Sequence, residues 1–166
     1  LDNHKIKILK LTSPFIEKAI YESCKIKKSV VEKDEKEKNL RKILNFGHTL
    51  GHAIESYFLV NSDKKSLLHG EAIAIGMILE AYLASQMTGL SVEAAKEIKS
   101  VFLGIFPRVH FKEDDITSIT SLLKYDKKNS HGKVKFVLLE TIGKPIIDVE
   151  IDEEKISAAF EFYKSD

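Results

Sequence analysis

Six histidines occur in the 166 residues, and three of them lie in two unusual strings. The first string is Asn45-Phe46-Gly47-His48-Thr49-Leu50-Gly51-His52-Ala53-Ile54-Glu55, and the second is His69-Gly70-Glu71-Ala72. In the first, His48, His52 and Glu55 fall at i, i+4 and i+7, the spacing that places side chains on one face of a helix. Two histidines so placed can converge on one metal ion. A catalytic zinc ion takes three protein ligands and keeps a fourth position open for water or substrate. A histidine pair therefore needs a third donor. Glu55 or Glu71 could supply it, and the spacing selects neither. Gly47 and Gly51 each cost a helix roughly 0.5–1 kcal/mol relative to alanine, so two of them beside the histidines imply close approach by a backbone or a ligand. His69 stands at the start of a strongly apolar segment, where helix N–H groups favour anions. The bland alternatives are that the histidine pair decorates a helix surface and that Glu71 complements the positive end of its helix. His4, His110 and His131 lie among polar residues and read as surface histidines.

The elements that must position these residues are mostly helical. Thr12-Ser13-Pro14 followed by Phe15, Ile16, Ala19 and Ile20 reads as a cap, a first-turn proline and an apolar stripe, in a helix running to about Val31. The mixed-sign run Glu32–Lys38 reads as a solvated helix end or turn. Apolar residues recur at helical spacing from Leu40 to Leu59, and a helix continuous through Gly47 would put Arg41 two turns before His48 on about the same face. A polar loop over 60–66 precedes a helix from about His69 to Met87, apolar on nearly every face and so expected at the centre of a bundle. Ser91 is a candidate cap for the next helix, and 114–124 reads as another short one. Lys133–Glu140 and Lys144–Glu150, with Gly143 between them, predict a β-hairpin, and 152–163 a closing helix. The fold class is mainly α, a multi-helix domain with a small β-hairpin near the C-terminus.

Composition narrows the class of function. Lys+Arg 26 against Asp+Glu 25 leaves a net charge of +1. Nucleic-acid and membrane-surface binding both need basic excess, so neither partner is expected. One cysteine, Cys24, allows no internal disulfide and excludes multi-cysteine zinc sites. No apolar run approaches the roughly 20 residues that span a bilayer, and no secretory segment is visible. The expected setting is cytoplasmic. A start at Leu1 reads as part of a longer polypeptide.

The string Arg41–Glu55, followed by Leu68-His69-Gly70-Glu71-Ala72-Ile73-Ala74-Ile75-Gly76-Met77, closely resembles the signature of 3-dehydroquinate synthases. Cys24–Lys27 with Val30-Val31 and Asp34-Glu35 is similar to the family's preceding helix. Lys124-Tyr125-Asp126-Lys127-Lys128-Asn129, Phe136–Leu139 and Ile142-Gly143 are similar to its late loop and hairpin. The likeness covers about residues 20–150.

That resemblance implies a two-domain enzyme. An amino-terminal α/β domain would carry NAD, and 1–166 would be a single helical metal- and substrate-binding domain. The reaction would convert 3-deoxy-D-arabino-heptulosonate 7-phosphate into 3-dehydroquinate and phosphate, in the shikimate route to aromatic amino acids. By the same resemblance His48 and His69 match the family's zinc ligands, with cobalt an alternative ion, and His52 matches a histidine that assists proton transfer. Lys27, Arg41 and Asn45 match substrate-binding positions, and Lys127 or Lys128 would reach the substrate phosphate. Lys27 also fits a solvated run with Lys25 and Lys28.

The third ligand in the family is an upstream glutamate in a segment that this sequence lacks, as it lacks the glycine-rich NAD segments. Glu55 then orients a histidine rather than binding metal. The chain alone is expected to be inactive, and the expected partners are its own NAD-binding domain, a sugar-phosphate substrate and a second copy in a homodimer. The stretch between His48 and His69 looks a few residues longer than in many relatives. Rival readings are a cyclase of the 2-deoxy-scyllo-inosose or valiolone synthase type, a metal-dependent alcohol or glycerol dehydrogenase, and a non-catalytic metal-binding helical module.

Overall fold

A computed structural model describes residues 4–129 and 134–166, with side chains described outside 124–129. Helix α1 (Lys5–Leu9) and α2 (Phe15–Lys33) are followed by a 3-10 segment, Leu40–Asn45. Then come α3 (His48–Val60), α4 (His69–Met87), α5 (Val92–Leu103) and α6 (Glu113–Asn129). Strands β1 (Lys135–Thr141) and β2 (Lys144–Glu150) and helix α7 (Glu153–Lys164) complete the order. The mainly helical fold with a late antiparallel hairpin is the expected one. Among the described residues no helix is long and apolar enough to cross a membrane.

The chain divides into two compact units, 1–44 and 45–166. In the first, α2 starts on the Thr12 carbonyl, which accepts the Phe15 and Ile16 N–H groups at 3.0 and 3.2 Å. Pro14 occupies the cap position rather than the first turn, and no side chain caps the helix. Beyond Lys33, the Asp34 carboxylate accepts backbone N–H groups of Lys38, Asn39 and Arg41 at 3.0, 2.8 and 3.0 Å. These donors, Arg41 foremost, hold the carboxyl below its usual range. The charge run is thus an ordered turn built on one aspartate.

In the second unit the core is continuous. Leu50, Ile54 and Phe58 of α3 meet Ile75, Ile78, Leu79 and Leu83 of α4, with Ile116 and Ile119 of α6 and Phe160 and Tyr163 of α7. α4 lies against α3, α5, α7 and β1, which is why it is apolar all round. Ser91 caps α5, its Oγ accepting the Ala94 N–H at 3.1 Å. α6 runs five residues past Lys124, farther than the apolar pattern reaches. In the hairpin, Phe136–Leu139 are all buried, and the register shifts between Phe136 and Leu138.

One expectation fails in a way that bears on the site. The helix is not continuous from Leu40 to Leu59. It is a 3-10 segment, then Gly47 in the left-handed region at φ 82°, then α3 beginning at His48. Packing imposes the break. A Cβ on Gly47 would lie 2.9 Å from the Met77 backbone nitrogen, and one on Gly76 would overlap the Gly47 carbonyl oxygen and stand 2.7 Å from the Gly51 nitrogen. α3 and α4 therefore cross with their backbones touching, a contact only glycine permits.

Candidate metal centre

That crossing sets the geometry of the histidines. His48 is the first residue of α3, His52 follows one turn later, and His69 is the first residue of α4. Each ring offers a nitrogen within 4.8 Å of one on each of the other two. Ring centroids are 5.3 Å apart for His48–His52, 5.8 Å for His48–His69 and 5.6 Å for His52–His69. Among the described residues this is the one group of three potential ligands so gathered.

Two of the rings are held from behind. His48 Nδ1 lies 3.2 Å from the Phe46 carbonyl oxygen, and His69 Nδ1 lies 3.0 Å from Glu55 Oε2. With Nδ1 donating in each case, Nε2 is left with its lone pair, the arrangement in which a metal-binding histidine is oriented by a carbonyl or carboxylate on its other nitrogen. The donor set thus fits a divalent transition ion such as zinc or cobalt. His52 has a pKa below the ordinary imidazole value, through partial burial first and then the neighbouring His48 and His69, with Glu55 opposing.

The two carboxylates left open by spacing separate in the structure. Glu55 braces His69, whereas Glu71 folds back to accept the Leu68 N–H at 2.8 Å and closes the start of α4. Asn45 ends the 3-10 segment, half-buried, three residues before His48. Lys27, exposed on α2, and Arg41 belong to the first unit. The Arg41 guanidinium donates to the Glu35 carbonyl at 3.0 Å and pairs with Glu37 at 3.5 Å. The break at Gly47 removes the shared helix face that would have aligned Arg41 with His48. Lys127 and Lys128 lie near the end of α6, and their side chains fall outside the described ones, as does His131 altogether.

Glu80 was not among the residues that the sequence singled out. It is fully buried, and its carboxylate accepts the Gly47 N–H at 2.6 Å and the Leu50 N–H at 3.3 Å, with a further bond from the Thr49 N–H. Burial pushes its pKa up to about 8 against the opposing pull of these donors. The available signal was its spacing, one turn beyond Gly76, which faces the same backbone.

Comparison with known proteins meets this geometry. The model of the 3-dehydroquinate synthase C-terminal family matches residues 1–129. The chain belongs to that family. A 3-dehydroquinate synthase from Thermodesulfovibrio yellowstonii is 39% identical over 158 residues, covering 94% of this chain and 43% of the relative. One from Parabacteroides distasonis is 33% identical over 150 residues, covering 90% and 42%. The chain thus spans less than half the length of these members. Among solved structures, a 2-deoxy-scyllo-inosose synthase complexed with carbaglucose-6-phosphate, NAD+ and Co2+ superposes with a TM-score of 0.64 at 27% identity, over 82% of this chain and 38% of that one. A Streptomyces hygroscopicus 2-epi-5-epi-valiolone synthase with NAD+ and Zn2+ bound shares the fold at TM-score 0.64 and 23% identity, covering 82% and 36%.

Proposed function

We propose that this chain is the metal- and substrate-binding part of a 3-dehydroquinate synthase, a zinc- and NAD-dependent lyase that converts 3-deoxy-D-arabino-heptulosonate 7-phosphate into 3-dehydroquinate and phosphate. The observation that carries this reading is the convergence of His48, His52 and His69, with His48 and His69 braced through Nδ1, in a chain of this family. His48 and His69 would hold the ion through Nε2, with cobalt as an alternative to zinc and a third ligand supplied by the complete enzyme. A bound ion would polarise a substrate hydroxyl and so assist departure of hydride from the adjacent carbon to NAD.

The chain's own residues supply the rest. His52, beside the two candidate ligands, would accept a proton from a substrate hydroxyl and return it later. Asn45, Lys27, Arg41 and one of Lys127 and Lys128 would bind the substrate's carboxylate and phosphate, for which cationic forks and ammonium groups are suited. The sugar-phosphate analogue, NAD+ and cobalt of the inosose synthase complex support the same classes of substrate and cofactor here. The curated relatives, at 33% and 39% identity, favour the heptulosonate substrate over that of an inosose synthase. A cytoplasmic homodimer is the assembly we expect.

One observation favours a second reading of the ligand set. His52 also lies within 4.8 Å of both other histidines and could itself be the third ligand. Metal content and turnover of the heptulosonate phosphate, measured on the full-length enzyme, separate the readings. His48→Ala and His69→Ala are expected to lose zinc and activity together, and His52→Ala to lose turnover while keeping zinc. Equal zinc loss in all three would make His52 a ligand, and full zinc in all three would remove the metal centre.

A further inference from the structure

We propose that Glu80 is a positioning residue for the histidine cluster, acting as a remote cap on the helix that bears His48 and His52. The first turn of a helix presents N–H groups with no intrahelical partner, usually met by a side chain just before the helix. At α3 that position is Gly47, which has no side chain to offer, and no neighbouring side chain caps the turn. Glu80, 30 residues beyond Leu50, takes the role from inside the core. Its two oxygens accept the N–H groups of Gly47 and Leu50, and Thr49 adds a third donor. His48 sits between those donors, so the direction in which its ring leaves the backbone is fixed by a turn that Glu80 closes. His52 inherits the same axis one turn later.

Glu80 can reach the turn only because Gly76, one turn earlier on α4, lets the two backbones touch. The role rests on the metal reading given above. Glu80 itself would touch neither ion nor substrate, and it acts through the backbone of 47–50.

The test uses the full-length protein, with cobalt as the probe, and compares Glu80→Leu, Glu80→Gln and a core control on α7, Phe160→Leu. In metal-free protein, amide hydrogen exchange at Gly47, Thr49 and Leu50 is expected to quicken in Glu80→Leu and to stay slow in the control. Cobalt affinity is expected to fall at least about tenfold in Glu80→Leu, the loss typical when a residue supporting a ligand is removed, with an altered visible spectrum. Glu80→Gln keeps one acceptor oxygen and is expected to fall between Glu80→Leu and wild type. Phe160→Leu is expected to lose stability but keep wild-type affinity and spectrum. Should Glu80→Leu not fold, Glu80→Gln carries the decision. Wild-type cobalt affinity and spectrum in a folded Glu80 variant overturn the inference while His48→Ala still abolishes binding. Unchanged binding in His48→Ala overturns the metal reading and this inference together.

Discussion

α2 and α4 are both 19 residues long, yet none of the residues of α2 is buried and eleven of those of α4 are. α2 carries charges along its length, and its Lys28–Glu32 pair is open to solvent on both sides. α4 carries only Glu71 and Glu80 among its charged groups, one at its entrance and one in the core. The difference teaches where geometry can be stored. A helix touched on all sides has its rotation and height fixed by neighbours, and a side chain at its first residue inherits that precision. A helix held by local propensity and surface pairs fixes its own backbone and little else. His69 begins the first kind of helix, and Lys27 lies on the second.

Gly76→Ala should break the comparison outright. A methyl there overlaps the Gly47 carbonyl oxygen, so α3 and α4 must separate; overpacking typically costs about 1–3 kcal/mol, and a clash with backbone puts this one at the upper end or beyond. Urea denaturation should show the midpoint collapsing or the chain failing to fold.

The next effect concerns pH. The carboxyl of Glu80 titrates near 8 in the folded chain against an ordinary 4.5. Between those values the folded state holds a proton that the unfolded state has released, so stability falls as pH rises, by at most about 1.4 kcal/mol per pH unit. Denaturation from pH 5 to 8 should show that slope in wild type and a flatter profile in Glu80→Gln. Parallel profiles would mean that the carboxyl titrates normally.

Smaller effects sharpen the contrast. Ser91→Ala removes the hydroxyl that caps α5 and should cost about 1 kcal/mol in the same assay. Tyr21→Ala on α2, at a position 65% exposed, should stay within about 0.5 kcal/mol of wild type. A larger loss would show that Tyr21 is packed in solution rather than open to it.

Legibility in the sequence followed the same division. The start of α4 at His69 was readable because local chemistry fixes it, with Glu71 reaching back to Leu68 and an apolar run beyond. The hairpin was readable from Gly143 and β-branched residues. The break at Gly47 was not, because a left-handed residue in mid-pattern is demanded by Met77 and Gly76, some 30 positions away. The two glycines did announce a close approach, and the approaching backbone is α4. Glu80 could not be singled out because its partners are backbone N–H groups, which leave no mark in residue type. Arg41 was aligned with His48 only through a helix that does not exist, and the described partners of its guanidinium are Glu35 and Glu37. The meeting of His69 with the other two rings could not be read from spacing, since the 61–68 connection, tied down by Lys64 to Asp115, has no period of its own.

The interlocked glycines also govern motion. Packed helices commonly slide past one another by an ångström or two when a protein changes state. Here a slide of α4 along α3 would drive the Cβ of a neighbouring residue into the carbonyl of Gly47, so this joint is keyed like a tooth in a rack. His48, His52 and His69 are thereby held in one block. Any motion elsewhere in the molecule would leave the distances within that block unchanged.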